Sequence, residues 1–338
     1  MKKILYVDYD LQVGHINFNR IQIDALVLSG ADVHLVLHKF MYDRLPYPRE
    51  MYDWVIPPIL RYRDGHPLVN RIVFLITLIL IKLKLNLRSY DHIVVGFCDE
   101  ISLGIVKLSK GMYIFMHRIV SVRESRIKRF FCRRLARHST FLVFNQHMTD
   151  MLQESGIDRY HIISHGCVEP FENLPNVDSC HPFTIIHPSA KLNPKFVTEI
   201  LQDTGLHEYL SSHNIRILLK ECAGIPRVVH SNIIYLPTHI DFEDYKQYFT
   251  NADAVLLSYP NDFCGQVSGI SYECVANHKR LLVYNHLSLI YCREYYNYDP
   301  IFNSTGQLTR LLTNLMTDSS LQCSVSPDDL RPDYSFLK

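Results

Sequence analysis

The sequence predicts an α/β protein built as two open, doubly wound parallel sheets. Three observations carry that expectation. Short apolar runs alternate with helical patterns, the alternation halts at a proline-containing stretch and then restarts, and 338 residues is about twice an ordinary domain. Strands that alternate with helices are joined by crossovers and lie parallel. Parallel strands covered on both faces read as continuous apolar runs, which is the pattern seen here.

The elements follow in order. Ile4-Leu5-Tyr6-Val7 is a buried strand closed by Asp8-Tyr9-Asp10, whose carboxylates read as solvated loop groups, and Gly14 stands in the following loop. Apolar residues at 16, 18, 21, 23 and 25–28 fall largely on one helical side, Ser29-Gly30 ends that helix, and residues 33–37 resume as strand. Further strands are expected at residues 92–96, 112–116 and 141–144. Residues 165–182, with Gly166, Pro170, Pro175 and Pro182, read as a linker. Beyond it come strands at 183–187, 215–219, 233–236, 254–258 and 281–284, with helices through 196–201 and near 270–276. The expected domains are residues 1–168 and 169–338, the final residues being free to pack back on the first.

Composition narrows the function classes. A net charge of +1 argues against nucleic acid as the main partner. The balance hides an asymmetry, since residues 1–170 carry +7 and the remainder −6. The basic half is aimed at something anionic: a membrane surface, a phosphorylated ligand or the acidic half itself. Nine cysteines without a Cys-x-x-Cys pair rule out a zinc ribbon and a disulfide scaffold and point to a reduced, cytoplasmic chain. The apolar run after Met1-Lys2-Lys3 is too short for a secretory signal. Residues 72–81 are too short to span a bilayer and read as a buried or interfacial helix.

The chemistry concentrates in Leu256-Leu257-Ser258-Tyr259-Pro260, a polar loop, and Ser268-Gly269-Ile270-Ser271-Tyr272-Glu273. A buried strand enters a loop that becomes a helix near Ser268-Gly269, where free N–H groups and the helix dipole favour a phosphate. Ser268 adds a hydroxyl donor, Gly269 permits close approach, and Glu273 stands a turn further in, placed to accept from ribose hydroxyls. The plainer reading is a capped helix with a solvated Glu273. In the first half, Tyr113-Ile114-Phe115-Met116-His117 ends a strand on an imidazole that points into the crevice beyond the sheet. Residues 123–137 hold seven basic residues against Glu124, with Ile127, Phe130, Phe131 and Leu135 about a turn apart. That is the pattern of a basic amphipathic helix, lying either on an anionic leaflet together with residues 72–88 or against the core with its charges solvated.

The stretch from Leu256 to Ala276 resembles the nucleotide-sugar site of GT-B glycosyltransferases, particularly the GT4-like (glycosyltransferase group 1) family. Leu281-Leu282-Val283-Tyr284 is similar to the family's next strand, and Tyr334-Ser335-Phe336 to its closing Tyr-Ser-Trp motif. One departure is clear: where the family often carries a second glutamate, separated from the helix glutamate by seven intervening residues, this chain has Gly265. The resemblance implies two Rossmann-like domains facing across a cleft, and a sugar moved from a nucleotide-diphosphate sugar to a saccharide, lipid-linked in many relatives, with retention. It implies phosphate binding by Lys191, Lys195, Ser268 and Gly269, with Lys195 acting on the leaving group, and ribose binding by Glu273. His117 would contact the transferred sugar as a catalytic residue, and Gly14 would allow close backbone approach. Neither cofactor nor metal is expected, since helix and lysines supply the positive field. The place implied is surface polysaccharide or glycan biosynthesis, in the cytoplasm at the inner face of the plasma membrane. A GT-B nucleotide-sugar 2-epimerase and a non-catalytic nucleotide-sugar-binding partner are the alternatives.

Overall fold

The structure, a computed structural model, describes residues 1–10, 15–61, 66–171, 181–189, 191–221 and 227–337. The chain divides into two compact units. The first is Met1–Val168 with Gly265–Val267 and Leu330–Lys338, and the second is Glu169–Cys264 with Ser268–Asp329.

The first unit runs β1 (Lys3–Asp8), α1 (His15–Leu28), β2 (Asp32–His38), α2 (Lys39–Tyr42), β3 (Tyr52–Ile56), α3 (Pro67–Lys84), β4 (His92–Val95), α4 (Glu100–Val106), β5 (Met112–Phe115), α5 (Val120–Glu124), α6 (Arg126–Ala136), β6 (Thr140–Val143), α7 (Gln146–Glu154) and β7 (Tyr160–Ile162). Its seven strands lie in the order β3-β2-β1-β4-β5-β6-β7, every pairing parallel. The order reverses between β1 and β4, which places a crevice outside their carboxyl ends. Ile4 through Asp8 are all buried, because β1 is covered on both faces and paired on both sides.

The second unit runs β8 (Phe183–His187), α8 (Pro194–Gln202), α9 (Thr204–Ser212), β9 (Ile215–Lys220), β10 (Ile233–Leu236), α10 (Phe242–Asn251), β11 (Ala254–Leu257), α11 (Gly269–Ala276), β12 (Arg280–Tyr284), β13 (Ile301–Phe302) and α12 (Thr305–Thr317). Its six parallel strands are ordered β10-β9-β8-β11-β12-β13, with the reversal between β8 and β11. Phe196, Ile200, Leu256, Leu282 and Leu312 belong to one buried cluster that joins the sheet to its helices.

Three strands went unread in the sequence, β3, β7 and β13, and each is the outermost of its sheet or a short stub there. An edge strand has one open flank and can carry Asp53 or His161 without burying it, so the continuous apolar signature is missing. The basic stretch at residues 123–137 is not one helix. Ser125 takes extended backbone angles and its side chain caps α6, so the segment breaks into α5 and α6. Ile127 and Phe130 are exposed whereas Cys132 and Leu135 are buried. On α3, Phe74, Leu78 and Ile81 face the core while Ile72, Ile76, Ile79 and Leu83 are exposed. No helix of the described residues is long and apolar enough to cross a membrane.

Residues 330–338 complete the first unit. Tyr334, buried, donates from Oη to Gln22 Oε1 at 2.8 Å, and His92 Nε2 donates to the Leu337 carbonyl at 3.0 Å.

Packing of α4 on α6 relies on a missing side chain. A Cβ built at Gly104 would stand 2.7 Å from Phe131 Cδ1 and 2.9 Å from its Cβ, so the ring cannot simply swing aside. Gly104→Ala is expected to lower unfolding free energy by about 1–3 kcal/mol. Chemical denaturation of Gly104→Ala alone and combined with Phe131→Ala checks this, because the pair should be markedly less destabilised than the sum of its parts.

Candidate functional site

Both crevices lie where strand order reverses, and each unit furnishes its own. In the second unit, β8 ends on His187 and β11 runs into Ser258, both wholly buried. His187 Nε2 accepts from the Ser258 backbone N–H at 3.2 Å and lies 2.9 Å from Ser258 Oγ. Nδ1 therefore carries the ring proton. Burial pushes this imidazole down to about 4, so it is neutral at pH 7. The loops leaving the two strands are tied together, since the Asn193 N–H donates to the Ser258 carbonyl at 2.9 Å.

Two helices start from these loops and differ in how their first N–H groups are used. Asn193 Oδ1 accepts from Lys195 and Phe196 at 3.1 and 3.3 Å, and Pro194 has no N–H, so the first turn of α8 is already satisfied. In α11 the Ser268 side chain makes no capping bond. Its Oγ is hydrogen-bonded to Tyr259 Oη at 2.8 Å, and its N–H donates to Tyr291 Oη at 3.2 Å. The N–H groups of Gly269 and Ile270 have no acceptor among the described residues. Gly269 is exposed, and a Cβ there would meet nothing within 4 Å. One turn on, Glu273 Oε2 accepts from Tyr245 Oη, leaving Oε1 without a hydrogen bond among the described residues. Burial raises the Glu273 pKa and the tyrosine bond opposes it. Glu273 is thus a partly buried, oriented carboxylate and not a solvated one.

The predicted lysines stand apart from this network. Lys191 Nζ lies 5.8 Å above the Phe263 ring, which is itself stacked on Tyr259 at 3.9 Å. Lys195 is 81% exposed and, among the described residues, pairs only with Glu199, at 3.9 Å along α8. Gly14 lies outside the described residues. Gly265 has φ of +68°, a left-handed conformation that strains a glutamate, so the missing carboxylate of the motif is matched by a backbone that disfavours it.

In the first unit, His117 follows β5 and its Nε2–H donates to the Gly96 carbonyl at 2.8 Å, which leaves Nδ1 as the acceptor. Burial, then the neighbouring His15, holds its pKa well below the ordinary value. The rings of His117 and His15 are 4.6 Å apart. Asp8, read from the sequence as a solvated loop carboxylate, is wholly buried. Its Oδ1 accepts from the Asp10 N–H at 2.9 Å, and its Oδ2 accepts from Asn19 Nδ2 at 2.8 Å and from His15 Nδ1 at 3.1 Å. Tyr6 Oη donates to Asn19 Oδ1 at 2.7 Å and fixes the amide. Gly96 must be glycine, because a Cβ would stand 2.6 Å from Tyr6 Oη. Burial pulls the His15 pKa down, but the hydrogen bond and charge of Asp8, aided by Asp10, leave it raised. His15 Nε2 has no protein partner among the described residues. The result is an imidazole oriented by a buried carboxylate, with one nitrogen open. Sequence reading missed it, although the Asp-x6-His spacing from strand end to helix start was available as a signal. Among the described residues no group of three or more His, Cys, Asp or Glu could hold a metal ion.

His187 makes stability depend on pH in a calculable direction. Its folded pKa of about 4 lies below the ordinary 6.5, so between these values the unfolded chain binds more protons and stability is lost as pH falls. A shift of that size is worth on the order of 3 kcal/mol. The thermal midpoint should drop between pH 6.5 and pH 4, and His187→Gln should flatten that part of the profile.

No known family profile matches the sequence, and no curated protein matches it significantly. Its fold, however, recurs among solved structures. HepE of Anabaena, solved in complex with UDP-glucose, is similar over 94% of this chain and 91% of its own, at TM-score 0.58 and 13% identity. A glycosyltransferase from Rickettsia africae matches 94% of this chain and 88% of its own, at TM-score 0.61 and 12% identity. A trehalose-6-phosphate protein from E. coli, bound with UDP-2-fluoro glucose, matches 97% and 92%, at TM-score 0.60 and 10% identity. With its seven- and six-stranded parallel sheets, each flanked by helices, the chain has the GT-B fold.

Proposed function

We propose that the protein is a glycosyltransferase that moves a sugar from a nucleotide-diphosphate sugar to a hydroxyl of a saccharide. The observation that carries this reading is the first turn of α11, with unspent N–H groups, an open approach at Gly269 and the oriented Glu273 carboxylate one turn in. It is supported by the fold shared with structures solved with UDP-glucose and UDP-2-fluoro glucose. In this reading the N–H groups of Gly269 and Ile270 take the diphosphate, Ser268, buried and bonded to Tyr259 and Tyr291, shapes the turn that presents them, and Glu273 Oε1 accepts from the ribose. Lys191 and Lys195 are exposed, and in this reading their ammonium groups offset the charge of the departing diphosphate.

The acceptor falls to the first unit. His15, held by Asp8 through Nδ1, takes the hydroxyl proton on Nε2, the arrangement of a base oriented by a third group. His117, kept neutral, offers Nδ1 to a sugar hydroxyl. A base on the acceptor favours direct displacement with inversion, whereas the GT4-like resemblance implies retention. The anomeric configuration of the product, read by NMR, decides between them. The uncovered apolar side of α3 supports a lipid-linked acceptor met at the inner face of the plasma membrane, in surface polysaccharide or glycan assembly.

Thermal-shift titration with UDP- and GDP-sugars should reveal a stabilising donor whose effect is lost in Glu273→Ala. Equal stabilisation of that variant removes Glu273 from the site, and interconversion of the donor without any acceptor reassigns the protein to an epimerase. His15→Ala should lower kcat by about 10²- to 10⁴-fold while leaving donor binding intact. Because the base must be unprotonated and its pKa is raised, kcat/KM should climb with pH through a value above 6.5; a flat profile there excludes His15.

A further inference from the structure

The carboxyl edge of the first sheet holds the groups described above, and the opposite edge holds a cavity that those groups do not use. It has a volume of about 270 Å³ and lies where β5 and β6 begin and where α3, α4 and α6 end. Buried Leu108, Met112 and Leu135 form its apolar floor. Lys82, Lys107, Lys110 and His138 line its rim, and no carboxylate does.

The cations there are not accounted for by one another or by acids. Lys82 Nζ donates to the carbonyls of Val106 and Lys107, both at 3.1 Å, and so closes the end of α4. The side chains of Lys107, Lys110, Arg134 and Arg137 make no hydrogen bond or ion pair among the described residues. Burial first, then the charges of Arg134 and Arg137, holds the Lys107 ammonium below its ordinary pKa, so two further cations add to the positive field at Lys107. The backbone adds an independent sign. Lys107 follows α4 with φ of +45°, in the left-handed region where glycine normally ends a helix. A side chain costs stability in that conformation, so a lysine is held under strain at the cavity mouth. The negative ends of three helices attract cations in general. They do not explain an open cavity with uncompensated charge around it.

We propose that this cavity binds a phosphate-bearing anion, a phosphate ester whose charged group is held by Lys107 and Lys110 and whose body rests on the apolar floor. Two sources share that chemistry: a soluble phosphate ester and a phospholipid headgroup. Leu83, exposed beside Lys82, begins the apolar side of α3 that continues through Ile79, Ile76 and Ile72. A headgroup in the cavity would leave its acyl chains a surface to meet. The site does not depend on the transfer reading, since none of its residues belongs to the donor or acceptor groups.

The test uses the intact protein with inorganic phosphate as one probe, in phosphate-free buffer at low salt. Vesicles of phosphatidylcholine, with and without phosphatidate, are the other. Phosphate should raise the thermal midpoint saturably, an effect reduced at least tenfold in apparent affinity by Lys107→Gln with Lys110→Gln. Sedimentation with phosphatidate vesicles but not with neutral ones, lost in the same variant, identifies a lipid source. Phosphate binding without vesicle binding identifies a soluble one. Lys107→Gly should raise the midpoint of the ligand-free protein, by relieving the backbone, while weakening phosphate. Failure of both probes to bind, or binding equal in wild type and in the Lys107 and Lys110 variants, overturns the proposal. Stabilisation by a nucleotide sugar should persist in these variants, so the two readings stand or fall separately.

Discussion

Parallel pairing is the constraint on which the rest of this molecule depends. When every strand of a sheet runs the same way, all carboxyl ends arrive at one edge, and where the strand order reverses the connecting loops part. The reversal between β1 and β4 sets Asp8 beside Gly96 and His117, and that between β8 and β11 sets His187 beside Ser258. Parallel strands also need cover on both faces, which accounts for the burial of β1 from Ile4 onward and of all of β11, and for apolar runs without alternation.

Burial at these edges acts in opposite senses on neighbouring imidazoles. His117, His165 and His187 are driven toward the neutral form because a charge in a dry site has no water to solvate it. His15 feels the same loss of water, yet the carboxylate of Asp8 outweighs it. Two rings 4.6 Å apart are thereby given different protonation behaviour, one held neutral and the other more readily protonated. Such separation is what acid–base chemistry near neutral pH requires.

Much of the fold was legible in the sequence, and the part that was not is instructive. Central strands announce themselves because they must be apolar throughout, whereas β3, β7 and β13 lie at sheet edges and tolerate polar residues. The start of α11 was legible because Ser-Gly after a strand has a local physical meaning. The partner of Glu273 was not, because Tyr245 is brought to it by the packing of α10, a relation that no local spacing records. Asp8 was misjudged for a related reason. A carboxylate after a strand usually reaches water, and only Asn19, Tyr6 and His15, assembled by the return of α1, make its burial affordable. The basic run at residues 123–137 had helical spacing, but the capping of α6 by Ser125 divides it, and a side-chain oxygen competing with the backbone outweighs periodicity.

The seat of Tyr334 against Gln22 carries a consequence for synthesis. The first unit begins to take shape on the ribosome as soon as β7 emerges, yet the residues that cover β4 and brace α1 are translated only after the whole second unit. Until then a patch of its interior stays open to chaperones or to neighbouring nascent chains. The unit translated first is the one whose folding is finished last.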